Sequence, residues 1–132
     1  MSSAPRSLRL ELLRFIATGL LAVGTDFSSY WLLSDVLAPN IAKGLSFILG
    51  SIVAFIMNKL WTFDSSARLD NAAFLFASLY GMTFVANIFV NHLILTLGSE
   101  MKLLAFLLAT TTSTVLNFLG MKFWVFRQNP YS

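Results

Sequence analysis

The sequence predicts an all-α integral membrane protein: four transmembrane helices arranged as two parallel-repeat helical hairpins, with the N- and C-termini cytoplasmic. Three observations carry that prediction. Hydrophobic residues make up 57% of the 132 and charged residues only 11%, against roughly 45–50% and about 25% in ordinary soluble domains. A soluble fold of this size needs charged surface on every side, which nine basic and six acidic residues cannot supply. The apolar residues also gather in four stretches joined by short polar segments. Two of those stretches close on one pattern, "NKLWTF" at 58–63 and "MKFWVF" at 121–126.

Taken in order, residues 1–11 read as a cytoplasmic tail. A crossing helix needs about 20 apolar residues at 1.5 Å each. The first stretch, from about Leu13 to Leu37, is longer than a signal core, carries Asp26 and lacks a small-x-small cleavage site, so it reads as a retained span. Asp35, Pro39 and Asn40 punctuate the first outer turn. The second span runs from about Ile41 to Leu60, and "DSSARLDN" at 64–71 is a cytoplasmic loop. The third runs from about Ala72 to Leu97, Gly98–Ser99–Glu100 forms the second outer turn, and the fourth runs from about Leu103 to Trp124. The whole chain is one membrane domain, with repeats at about 12–63 and 72–126.

Arg6, Arg9, Arg14, Lys59, Arg68, Lys122 and Arg127 fall on the tail side, and only Lys43 and Lys102 on the other. The positive-inside rule then places both termini inside a multi-pass protein of the cytoplasmic (inner) membrane. The net charge of +3 follows these flanks and is no footprint for nucleic acid. Without cysteine there are no disulfides and no thiol chemistry. A Gly-rich phosphate loop, metal-ligand spacing and a serine elbow are missing as well. The expectation is therefore a protein that is not an enzyme, with no catalytic residues, no metal and no cofactor.

Superposing the two endings fixes an offset of 63 residues, pairing Phe55 with Phe118, Lys59 with Lys122, Trp61 with Trp124 and Phe63 with Phe126. It also aligns two i, i+4 ladders, Ser46–Gly50–Ala54–Asn58 and Ala109–Ser113–Asn117–Met121. Small residues in such a stripe let helices approach closely in lipid. The amides Asn58 and Asn117 read either as packing groups or as ligand groups.

Asp26 lies midway along the first span, where insertion scales charge about 2.5–3.5 kcal/mol for an aspartate. It reads as a helix-packing carboxylate or as a proton or substrate site. Asn87, Asn91 and His92 form a polar group in the third span; at an offset of 63, Asn91 aligns with Ser28 and His92 with Ser29. Together with Asn117, these residues are candidates for a sugar or polar path. The hydroxyls of "TTTST" at 110–114 can satisfy themselves by back-bonding within their helix.

Lys59 and Lys122 sit about one turn inside their cytoplasmic ends. One reading is generic: the lysines snorkel to lipid phosphates while Trp61, Phe63, Trp124 and Phe126 form an aromatic interface. The other is a specific lipid-phosphate site, since ammonium groups serve phosphates as mobile point charges.

The segments "LLRFIATGLLAVGTDFSSYWLL", "SFILGSIVAFIMNKLWTF" and "LNFLGMKFWVF" resemble the GtrA-like family of small four-helix membrane proteins, over about Leu12 to Arg127. Arg14, Phe15, Gly19, Asp26, Asn58, Lys59, Trp61, Thr62, Phe63, Asn117, Lys122, Trp124 and Phe126 match its motif positions. Ala54 stands where many members have asparagine, and Lys59 where arginine is frequent. The resemblance implies polysaccharide biosynthesis and flipping of a polyprenyl-monophosphate-linked sugar. Lys59, Lys122, Asn58 and Arg14 would then bind the lipid phosphate, and Asp26, Asn87, Asn91, His92 and Asn117 would line the sugar path. The expected partners are the polyprenyl-phosphate sugar lipid, the membrane, further copies in a homo-oligomer and a membrane glycosyltransferase. The rivals are a small proton-coupled exporter of cationic compounds and a non-transporting adaptor for a glycosyltransferase.

Overall fold

The computed structural model describes residues 7–127. Within them the secondary structure is entirely helical: α1 (Leu8–Leu33), α2 (Pro39–Met57), α3 (Leu69–Leu95) and α4 (Lys102–Gly120). Short π-helical turns follow α2 at Asn58–Thr62 and α4 at Met121–Val125, and a 3₁₀ turn at Ser99–Met101 precedes α4. The chain divides between Ser65 and Ser66 into two compact units. Each unit is a helical hairpin, α1 with α2 and α3 with α4.

α1 begins inside the segment predicted as tail. The Ser7 side chain accepts a hydrogen bond from Leu10 N at 3.1 Å, satisfying one of the N–H groups that a helix start leaves open. The helix also stops earlier than the predicted Leu37, because Ser34 to Leu37 turn back onto Tyr30, Leu32 and Leu33. Pro39 opens α2, where its missing N–H costs nothing.

Three segments are long and apolar enough to cross a membrane: Pro39–Thr62, Leu69–Leu95 and Ser99–Val125. α1 has the length, but Asp26 and the run Ser28, Ser29, Tyr30 and Trp31 dilute its apolar content. Its outward side nevertheless presents Leu20, Val23 and Phe27, all largely exposed. Phe84, Val85 and Phe106 do the same on the second hairpin. Apolar surface this extensive suits hydrocarbon.

In the first hairpin the face of α2 and its π-turn that is turned inward reads Ala42, Ser46, Gly50, Ala54, Asn58 and Thr62, every one buried. This is the predicted ladder extended by a step at each end. A Cβ on Gly50 would lie 2.9 Å from the Ala22 carbonyl oxygen and 3.1 Å from Asp26 Cβ. Only glycine permits that approach of α1 to α2. In the second hairpin Ala105, Ala109, Met121 and Val125 are buried on the equivalent face, with Ser113 and Asn117 half-buried between them.

The 63-residue offset relates α2 and its π-turn, Pro39–Thr62, to α4 and its π-turn, Lys102–Val125. It does not relate α1 to α3. Gly50 packs against Asp26, whereas its equivalent Ser113 accepts a hydrogen bond from Asn87. Asp26 and Asn87 are therefore counterparts, 61 residues apart. The expected pairing of Asn91 with Ser28 and His92 with Ser29 is corrected accordingly. Eight residues of α3 follow Asn87 where seven of α1 follow Asp26, and six residues join α3 to α4 where five join α1 to α2, the longer connection containing the 3₁₀ turn at Ser99–Met101.

Candidate functional site

The first hairpin ends in a π-turn. Phe63 N donates to Asn58 O at 2.9 Å, five residues back, so the turn holds one residue more than an α-helical turn. π-turns of this kind are frequent at functional sites. Asn58, Thr62 and Phe63 consequently point inward, while Trp61 stays exposed. The second hairpin repeats the device, Phe126 N donating to Met121 O at 2.8 Å. Phe63 and Phe126 are 3% and 1% exposed. These phenyl rings belong to the hairpin interiors, whereas the indoles of Trp61 and Trp124 are exposed.

Arg14 closes the first ending from α1. Its Nη1 donates to the Trp61 carbonyl at 3.0 Å, and its guanidinium lies 5.0 Å from the indole centroid. One turn further along α1, the hydroxyls of Thr18 and Thr62 share a buried hydrogen bond of 3.2 Å. Lys59 Nζ donates to Ser65 O at 3.1 Å, and Ser65 N donates to Lys59 O at 2.7 Å. The chain leaving the π-turn is thereby tied back to it. The Lys122 ammonium lies 5.7 Å from the Phe123 ring centroid.

Asn58 is 2% exposed, and its Oδ1 is buried without a hydrogen-bond partner. Leaving a buried acceptor unmet costs about 1–3 kcal/mol. An acceptor attracts donors and repels phosphate oxygens. This carbonyl oxygen is therefore an open acceptor for a donor hydrogen such as a hydroxyl, and an anion would be met by the amide N–H groups of the same side chain.

The path candidates fall into two separate sets. In the first hairpin Asp26 is ion-paired: Lys43 Nζ donates to both carboxylate oxygens at 2.9 Å, and Ser46 Oγ donates to Oδ1 at 2.7 Å. In the second, Thr83 Oγ1 donates to Asn117 Oδ1 at 2.8 Å and Asn87 Nδ2 donates to Ser113 Oγ at 3.1 Å. Asn91 is half-buried on α3 and His92 is exposed near its end. The hydroxyls of Thr112 and Ser113 return to Leu108 O and Thr110 O, which is the expected back-bonding.

Lys43, Thr18 and Thr83 entered the site only through the structure, and Thr62, a motif position in the sequence, gained its partner Thr18 there. Counting turns could have found Lys43. Asp26 lies seven residues before the end of α1 and Lys43 four after the start of α2, so both sit near the same turn.

These features define a class: an all-helical membrane protein whose two hairpins each finish in a π-turn bearing a lysine and a tryptophan. The family model described as GtrA/DPMS, transmembrane domain, matches residues 14–126, and the chain belongs to that family. Membership makes it a membrane protein of lipid-linked sugar translocation or glycosylation. No solved structure matches the chain.

Proposed function

We propose that the protein flips a polyprenyl-monophosphate-linked sugar across the cytoplasmic membrane, alone or as a flippase subunit, for cell-surface glycan synthesis. The observation that carries this reading is the π-turn repeated at an offset of 63, with Lys59 and Lys122 at equivalent places in it. Snorkelling anchors need no such matched backbone device. An ammonium has three donors and a guanidinium five. Lys59 can thus hold Ser65 O, and Arg14 can hold Trp61 O, while each still donates to a phosphate.

In this reading all four helices cross the bilayer and both termini are cytoplasmic. α1 becomes a tolerable span because Lys43 and Ser46 satisfy Asp26, which lies seven residues from the end of the helix. Polar groups within each hairpin serve the sugar, Asp26 in the first and Asn87, Asn91 and Asn117 in the second. Four helices are few to enclose a sugar phosphate, so the working form is a homodimer or larger. The protein translocates its lipid without chemical change and is not an enzyme. The ion pair weighs against a proton-coupled exporter of cations, whose carboxylate must be free to take the drug.

The test is reconstitution of the purified chain in liposomes holding labelled polyprenyl-phosphate sugars. Label reaching the opposite face faster than in protein-free liposomes supports the reading, and this acceleration should fall at least tenfold in K59Q/K122Q. No acceleration with any polyprenyl-phosphate sugar removes it.

A further inference from the structure

We propose that Lys43 forms a second lipid-phosphate site, at the turn end of the first hairpin, which Asp26 occupies until a phosphate displaces its carboxylate. This rests on the transport reading and extends it to the far end of the path. Lys43 lies sixteen residues before Lys59 along α2 and its π-turn, about 24 Å at 1.5 Å per residue. Arg14, Trp61 and Lys59 mark one end of the hairpin and Lys43 marks the other.

The accessible member of the pair is the cation. The Lys43 side chain is 58% exposed and that of Asp26 22%, so an arriving anion meets the ammonium first. Tyr30 flanks it, with Nζ 5.9 Å from the ring centroid. The carboxylate keeps a partner when the lysine leaves, because Ser46 Oγ holds Oδ1 at 2.7 Å. Exchanging one anion for another at Lys43 leaves the carboxylate with that one hydrogen bond and no counter-charge, which draws the ammonium back to it.

The second hairpin supplies an internal control. Asn87 stands in the place of Asp26, Phe106 in that of Lys43 and Ala109 in that of Ser46, and the helices close without any charge there. Closing a hairpin of this design does not require the ion pair. A release site, by contrast, requires a cation that binds phosphate and a competitor that takes the cation back. Conduction needs sites weak enough to leave, and Asp26 supplies that weakness.

The experiment measures equilibrium binding of labelled polyprenyl monophosphate to the full chain in nanodiscs of phosphatidylcholine. D26N should bind about tenfold tighter than wild type, within the usual range for competing interactions. Adding K43Q should abolish the gain, and adding K43R should retain it. Equal affinity of D26N and wild type, or a gain that survives K43Q, overturns the proposal. Asn is the residue the second hairpin already uses, and D26A serves if D26N fails to fold. Phosphatidic acid as competitor separates sources: equal displacement assigns the site to any lipid phosphate, and weak displacement assigns it to the polyprenyl carrier. Sugar-lipid transport is measured in parallel. A binding gain without transport by any form keeps the site and removes the transport reading; wild-type transport without the gain removes only the site.

Discussion

The Arg14 guanidinium lies 5.0 Å from the Trp61 ring centroid while one of its nitrogens donates to the Trp61 carbonyl at 3.0 Å. One side chain thus holds both the ring and the backbone of the first π-turn. Lysine has no planar fork and can do one of these things at a time. Arg14→Lys should lower stability by about 1 kcal/mol, and Trp61→Leu should do the same through the lost ring contact. Thermal unfolding of the purified protein in detergent checks both, together with the double variant, whose loss should fall short of the sum because the two residues share one interaction.

Much of this site could be read from the residues, and the reasons separate what could from what could not. A small residue every fourth position has one use in lipid, so Ser46, Gly50 and Ala54 announced the face along which α2 meets α1. Lys59 and Lys122, with their tryptophans, announced the duplication. The π-turns themselves were hidden, because the i+5 hydrogen bond involves backbone atoms and the residues at its start, Asn58 and Met121, share no chemistry. The pairing of Asp26 with Asn87 was hidden too, since two additional residues, one at the end of α3 and one in its connection to α4, shift α3 against the offset that the endings establish. The Lys43 partnership depends on a long side chain reaching across the hairpin, which periodicity does not register.

Gly50 and Gly120 should respond differently to the same substitution. A methyl at Gly50 meets backbone, the Ala22 carbonyl oxygen at 2.9 Å, so α1 and α2 must separate. A methyl at Gly120 runs into the side chain of Leu79, chiefly its methyl ends, which rotate aside more readily than a helix moves. Gly50→Ala should cost about 1–3 kcal/mol, the range for overpacking. Gly120→Ala should cost less than about 1 kcal/mol, because alanine's higher helix propensity offsets part of the strain. Midpoints of unfolding by denaturant in mixed micelles give the comparison.

Asn58→Met is expected to separate stability from function. The buried Asn58 carbonyl oxygen has no partner, and methionine is the residue that fills the equivalent place, Met121, with no exposure at all. Removing the unmet acceptor should raise stability by about 1 kcal/mol. Transport of the lipid-linked sugar should nevertheless fall severalfold, because the hydroxyl acceptor is lost. Unfolding temperature and liposome transport, measured on one preparation, distinguish this outcome from an Asn58 that only packs, which would leave transport intact.

The Thr83–Asn117 bond can be weighed against a natural alternative within the same chain. Its hydroxyl donates to the amide oxygen at 2.8 Å across the second hairpin. The equivalent positions in the first hairpin are Ala22 and Ala54, the latter buried at 4% exposure. The packing design therefore accommodates an all-alanine contact at this level, and the polar pair adds to it only its own interaction. Hydrogen bonds between membrane helices average about 0.6 kcal/mol in double-mutant cycles. A cycle of Thr83→Ala, Asn117→Ala and both should return a coupling of about that size, with the double variant still folded and helical by circular dichroism. Coupling above about 2 kcal/mol would mean that the bond organises the hairpin instead of trimming it. In that case the amide would be part of the scaffold, and the sugar path would have to be drawn without Asn117.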